Sequence, residues 1–145
     1  MCGIAGFWDL KGHLSREQAQ AAIGAMIATL SHRGPDDEGV WQADGAPVLG
    51  HRRLSIIDLS PLGHQPMASA SGRYQIVFNG EVFNFRELRG DLEKQGVAFR
   101  GHSDTEVMLA AVERWGLERA VKRFNGQFAF ALFDASDEDA IEQAE

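Results

Sequence analysis

"RYQIVFNGEVFNF", residues 73–85, carries apolar side chains on both faces of an extended chain, with Tyr74, Ile76 and Phe78 on one and Val77 on the other. A strand with one wet face would alternate apolar and polar residues. This pattern therefore predicts a strand covered on both sides, ending at Asn79-Gly80. "GQFAFALFDA", residues 126–135, reads as a second such strand.

The flanking segments supply the covers. "SREQAQAAIGAMIATL" (15–30) opens with Ser15 and Gln18 in capping-box spacing and carries Ala19, Ile23, Met26 and Ile27 at helical intervals. "FNFRELRGDLEKQG" (83–96) sets Phe85, Leu88 and Leu92 on one stripe and Gly96 as its stop. "SDTEVMLAAVERWG" (103–116) repeats the capping box with Ser103 and Glu106, and "LERAVKRF" (117–124) is a third, shorter helical piece. "CGIAGFW" (2–8) reads as a strand. "GVWQADGAPVLGHRRLSIIDLS" (39–60) reads as two strands joined at Asp44-Gly45, and "VAFR" (97–100) as a short one. "SHRGPDDEG" (31–39) is a structured loop, and "PLGHQPMASASG" (61–72) is a loop. Together these predict an α+β fold of two stacked sheets with helices outside. It forms one domain over residues 1–134, followed by an acidic tail at 135–145.

Charge and composition exclude several classes. Of the 21 acids, six lie from Asp134 onward with no base among them, so the body nearly balances the 14 bases despite a net charge of −7. No basic stripe marks a nucleic-acid partner. No apolar run approaches a membrane span, and the first residues lack the build of a signal peptide. A single cysteine leaves no internal disulfide, which suits the cytoplasm. The five histidines show no i,i+4 pair and no second cysteine joins them, so no metal site is expected.

The one cysteine, Cys2, follows Met1 directly. It reads either as a small buried hydrophobe or as a nucleophile. Removal of Met1 would give it an unblocked α-amine, a group that titrates near neutrality and can act as base for its own thiol. Asn79-Gly80 reads either as a tight turn or as a pair of N–H donors for an oxyanion. Arg52 and Arg53 lie in an apolar strand, where an inward guanidinium needs an anion, or else both sit on a solvated edge. Asp104 stands in the first turn of a capped helix, as a favoured helix-end charge or as a receptor for an ammonium group.

In order and spacing, "MCGIAGF", "HRGPDDEG", "GHRRLSIIDLS", "GHQPM", "FNGEVFNFRELRGDL", "SDTEVMLAA" and "NGQFAFALFD" resemble the N-terminal glutaminase domain of glutamine-dependent asparagine synthetases. These are class II glutamine amidotransferases among the N-terminal nucleophile hydrolases. The resemblance covers positions 1 to about 134 and implies a four-layer αββα sandwich of two mostly antiparallel sheets. It implies Cys2 as nucleophile on the glutamine side-chain amide, and Asn79 with the Gly80 N–H as oxyanion hole. Arg53, helped by backbone near Ile56, would hold the α-carboxylate, and Asp104 assisted by Glu81 the α-ammonium. No cofactor is implied for this half; ATP and Mg belong to a synthetase domain that family members carry further along. That domain, in cis or in trans, is the implied partner.

Family members continue past the "FAFALFD" strand into a basic segment and further strands. This sequence instead runs into "ASDEDAIEQAE", so the expectation is a glutaminase domain incomplete at its C-terminal end. An open sheet edge would invite pairing with another chain, including a second copy in a homo-oligomer. Rival readings are a catalytically silent glutamine-binding domain and a piece whose role is assembly with a separate synthetase.

Overall fold

The computed structural model describes residues 1–137; residues 138–145, which hold most of the expected acidic tail, lie outside the described residues. In chain order the elements are β1 (Gly3–Phe7), α1 (Arg16–Ala28), β2 (Asp37–Trp41), β3 (Val48–Arg53), β4 (Met67–Ala68) and β5 (Tyr74–Val82). Helices α2 (Phe85–Lys94), α3 (Asp104–Trp115) and α4 (Leu117–Arg123) then lead to β6 (Gly126–Asp134). Among the described residues there are two antiparallel three-stranded sheets, ordered β1-β3-β2 and β4-β5-β6.

Helix α1 covers one outer face and α2, α3 and α4 the other, which makes the expected four-layer α+β sandwich. Burial follows the reading of residues 73–85. Tyr74, Ile76 and Phe78 join the core beneath α2 and α3, while Val77 on the opposite face is equally buried. Across the layers, His51 of β3 donates from Nε2 to the Phe78 carbonyl at 3.0 Å. At the far end, Phe133 packs edge-on to Trp8 and at a tilt against Trp41.

Local chemistry explains why the helices sit where they do. Ser15 and Gln18 form both halves of their capping box. Ile23 and Ile27 of α1 ride directly over Gly50, where a Cβ would come within 2.6 Å of Ile27 Cγ2. Gly96 and Gly116 turn the chain out of α2 and α3 with φ of 88° and 80°.

Several expectations are corrected. Strand β5 does not end at Asn79-Gly80 but pairs with β6 as far as Val82 opposite Gly126. The second capping box is only half formed. Ser103 Oγ accepts from Glu106 N–H, but the Glu106 carboxylate reaches back to the N–H groups of Arg100 and Gly101, both at 2.8 Å. Those donors are thereby withdrawn from any ladder, and residues 97–100 form no strand. Strand β3 stops at Arg53 rather than running through residues 54–60, and the 61–72 loop contains a 3-10 turn at Pro61–Gly63 and the short β4. In β6, Phe128, Phe130 and Leu132 pack against the helical core, but Gln127, Ala129 and Ala131 on its other face are exposed.

Candidate functional site

Where the C-terminal ends of β3 and β5 meet the start of α3, the structure opens a cleft of about 470 Å³. Cys2, Arg53, Ile56, Asn79, Gly80, Glu81 and Asp104, the residues singled out from the sequence, all line it.

Cys2 stands one residue ahead of β1, beside the end of β3. Its Sγ accepts from Leu54 N–H at 3.4 Å and faces the Leu54 carbonyl at 3.7 Å, leaving the side chain half-buried at the cleft wall. Its carbonyl accepts from Arg33 Nε at 3.0 Å. Met1, still attached, also lines the cleft. The turn at residues 31–36, shorter than the loop expected over 31–39 because β2 already begins at Asp37, braces this corner. Gly34 packs so tightly on Arg52 and Arg53 that a Cβ there would lie 2.4 Å from the Arg52 carbonyl carbon, and Asp36 N–H donates to Arg53 O at 3.0 Å. Asp36 Oδ2 accepts from Ser55 N–H at 2.8 Å.

The two arginines part company, as neighbours on a strand must. Arg52 turns outward, donating to Gly34 O and pairing with Glu38. Arg53 points inward and is 8% exposed. One of its terminal nitrogens donates to Ser60 O at 2.9 Å and the other to the Asp58 carbonyl, with Gly63 flat against the guanidinium. Among the described residues both of its hydrogen-bond partners are neutral carbonyls, although the Asp58 carboxylate lies close enough to feel its charge, and the residue lines the cleft.

Asp104 is equally buried, at 5% exposure. Its Oδ2 accepts from Val82 N–H and its Oδ1 from Thr105 N–H, each at 3.0 Å. Burial pushes its pKa up against those two bonds, and the nearby Glu81 adds to the rise. A cation arriving in the cleft would remove that penalty. Glu81 and Ile56 lie on the exposed rim of the cleft, Ile56 with 70% of its surface exposed.

Asn79 is half-buried with its Oδ1 unpartnered, and Gly80 follows at φ 153°. A Cβ on Gly80 would lie 2.2 Å from the Gln127 carbonyl oxygen and 2.5 Å from Phe128 Cα, so only glycine lets β6 close against this point.

Sequence reasoning missed the residues that lock these parts together. Gln65, buried, accepts from Phe78 N–H at 2.7 Å and donates to Thr105 Oγ1 at 3.3 Å, which ties the residue before Asn79 to the residue after Asp104. His51 secures the Phe78 carbonyl from the other sheet, and burial pushes its pKa down to about 4. Asp58 and Arg33 complete the set. Each reaches a partner 27 or more residues away, a separation at which no local pattern gives a signal, except that the buried Asp58 sits between Ile57 and Leu59. Among the described residues no cluster of three or more His, Cys, Asp or Glu could hold a metal ion, and no helix is long and apolar enough to cross a membrane.

Comparison with known proteins agrees in both sequence and shape. A family model described as a glutamine amidotransferase domain matches residues 1–142. An asparagine synthetase (glutamine-hydrolyzing) of Bacillus subtilis is 42% identical over 136 residues, covering 92% of this chain and 21% of the relative. Asparagine synthetase B (glutamine-hydrolyzing) of Escherichia coli is 36% identical over 140 residues, covering 97% and 24%. The chain thus spans about a fifth to a quarter of the length of these relatives. The solved glutamine phosphoribosylpyrophosphate amidotransferase of B. subtilis has the same fold, with a TM-score of 0.74 at 22% identity over 91% of this chain and 35% of that one.

Proposed function

This chain belongs to the family of glutamine amidotransferase domains, and from that membership we propose that its cleft hydrolyses glutamine to glutamate and ammonia through a thioester on Cys2. The observation that carries the proposal is the convergence of Cys2, Arg53, Asn79, Gly80 and Asp104, from four separate stretches of sequence, on one cleft.

The chemistry follows from the charges of the substrate. Free glutamine is a zwitterion. Among the described residues Arg53 offers a guanidinium hydrogen-bonded only to neutral carbonyls, and Asp104 a buried carboxylate hydrogen-bonded by backbone N–H groups. Fixing both α-groups directs the side-chain amide toward Cys2. With Met1 removed, the Cys2 α-amine takes the thiol proton as sulfur attacks the amide carbon. The resulting oxyanion is received by the Asn79 side-chain amide and the Gly80 N–H, and one such donor contributes about 3 to 4 kcal/mol. Collapse transfers the proton to the leaving nitrogen and expels ammonia. Water, deprotonated by the same amine, then cleaves the thioester to glutamate and restores the thiol.

Through its relatives, we assign the released ammonia to an ATP-dependent synthetase module of the asparagine synthetase kind, joined in cis in a longer protein or docked in trans. The test is coupled detection of glutamate and ammonia from Met1-free protein given glutamine. Equal molar release is expected, and its loss in Cys2→Ala. Glutamine binding without turnover in the folded, processed protein would favour the silent-binder reading instead.

A further inference from the structure

Asp58 does none of the chemistry just described, yet it sits 6% exposed in the cleft wall between the two groups that would hold the ends of glutamine. Its Oδ1 accepts from Ser60 N–H at 2.8 Å, curling residues 58–60 into a turn. That turn presents the Asp58 and Ser60 carbonyls to the Arg53 guanidinium. Its Oδ2 accepts from His102 N–H at 2.8 Å, 44 residues away and two residues ahead of Asp104. One carboxylate therefore fixes the seat of Arg53 with one oxygen and the approach to Asp104 with the other. Gly101 keeps this contact close, since a Cβ there would lie 3.0 Å from Asp58 Oδ2. Burial pushes the Asp58 pKa up, but the hydrogen bonds from Ser60 and His102 together with the nearby Arg53 charge outweigh it, and the carboxyl is held below its ordinary value and stays ionised at neutral pH.

We propose that Asp58 is a positioning residue that sets the span between Arg53 and Asp104, and so selects a substrate bearing an α-carboxylate and an α-ammonium on one carbon. The proposal rests on the glutaminase reading and deepens it. A carboxylate is required because both backbone partners are donors. An amide in its place accepts with one oxygen only and turns an NH₂ toward the second N–H. One of the two tethers then opens while Cys2, Asn79 and Gly80 stay in place.

The test compares two alkylating agents on Met1-free full-length chain: iodoacetamide, which carries neither α-group, and a chloroketone analogue of glutamine, which carries both. Wild type should strongly prefer the amino-acid reagent. Asp58→Asn should lower that preference by about tenfold, the worth of one charge-assisted hydrogen bond, with the iodoacetamide rate unchanged within about twofold. In turnover the same variant should raise KM for glutamine and leave kcat nearly intact. If Asp58→Asn fails to fold, Asp58→Ser, which keeps one accepting oxygen for the turn, carries the same comparison. An unchanged preference, or equal loss with both reagents, overturns the positioning role. Wild type showing no preference would instead overturn the glutaminase reading on which it rests.

Discussion

Acidifying the protein from pH 7 to pH 5 should remove about 2 kcal/mol of folding stability through His51 alone. The imidazole is 0% exposed; its Nε2–H is committed to the Phe78 carbonyl and its Nδ1 has no partner. Burial dominates and lowers the pKa from 6.5 to about 4; the Phe78 bond and Asp37 oppose that fall, while Arg53 and His64 reinforce it. Between those two values the unfolded chain binds a proton that the folded chain refuses, so stability falls as pH drops from about 6.5 and levels off below about 4. The whole window is worth about 3 kcal/mol, of which about 2 kcal/mol falls between pH 7 and pH 5. Urea titrations at the two pH values read it directly, with His51→Gln as control. Glutamine still offers the Phe78 carbonyl an N–H but does not titrate, so the pH-dependent loss should shrink by about 2 kcal/mol in the variant. A wild type and variant with the same pH slope, or a His51 ring proton titrating near its ordinary value in the folded state, would refute the burial argument.

Other expectations follow from the cleft. Gly63→Ala would place a Cβ 2.0 Å from an Arg53 terminal nitrogen, so the guanidinium must leave its seat. KM for glutamine should rise by roughly tenfold or more with kcat little changed in steady-state assays, and an unaltered KM would contradict the carboxylate role of Arg53. Because ionised Asp104 is the form that accepts an ammonium and its pKa is raised, chiefly by burial, KM should climb as pH falls through that value. In Asp104→Asn that limb of the pH profile should vanish and KM should be high throughout. Gly80→Ala brings a Cβ against the backbone of Gln127 and Phe128, which cannot yield as a side-chain tip can. A loss of about 2 to 3 kcal/mol in urea titration and a fall in kcat are expected, and a variant of wild-type stability would mean that β6 does not press on this point.

The layered fold was legible because periodicity alone reports burial. Val77 beside Ile76 could only mean a strand with cover on both sides, and both are 1% exposed. The seven cleft residues were legible through a resemblance in which small motifs keep their order; their chemistry alone left Asn79-Gly80 and Asp104 open to plain turn and helix-end readings. Which of Arg52 and Arg53 turns inward followed from the resemblance, and the structure supplies the reason in the carbonyls of residues 58 and 60. What stayed hidden depends on long-range pairing. "VAFR" has the composition of a strand, but Glu106 takes the Arg100 and Gly101 N–H groups that a partner strand would need. Gln65, His51 and Asp58 each serve two or more distant segments or a different sheet, and nothing adjacent to them in sequence announces those partners.

The central claim is that Cys2, freed of Met1, attacks the side-chain amide of a bound glutamine. Intact mass spectrometry of processed, folded protein quenched in acid during turnover tests it most directly. The account predicts a single glutamyl adduct that maps to Cys2, builds up and decays with glutamate release, and is absent from Cys2→Ala. Glutamate produced at full rate by Cys2→Ala, or an adduct on any other residue, would contradict it.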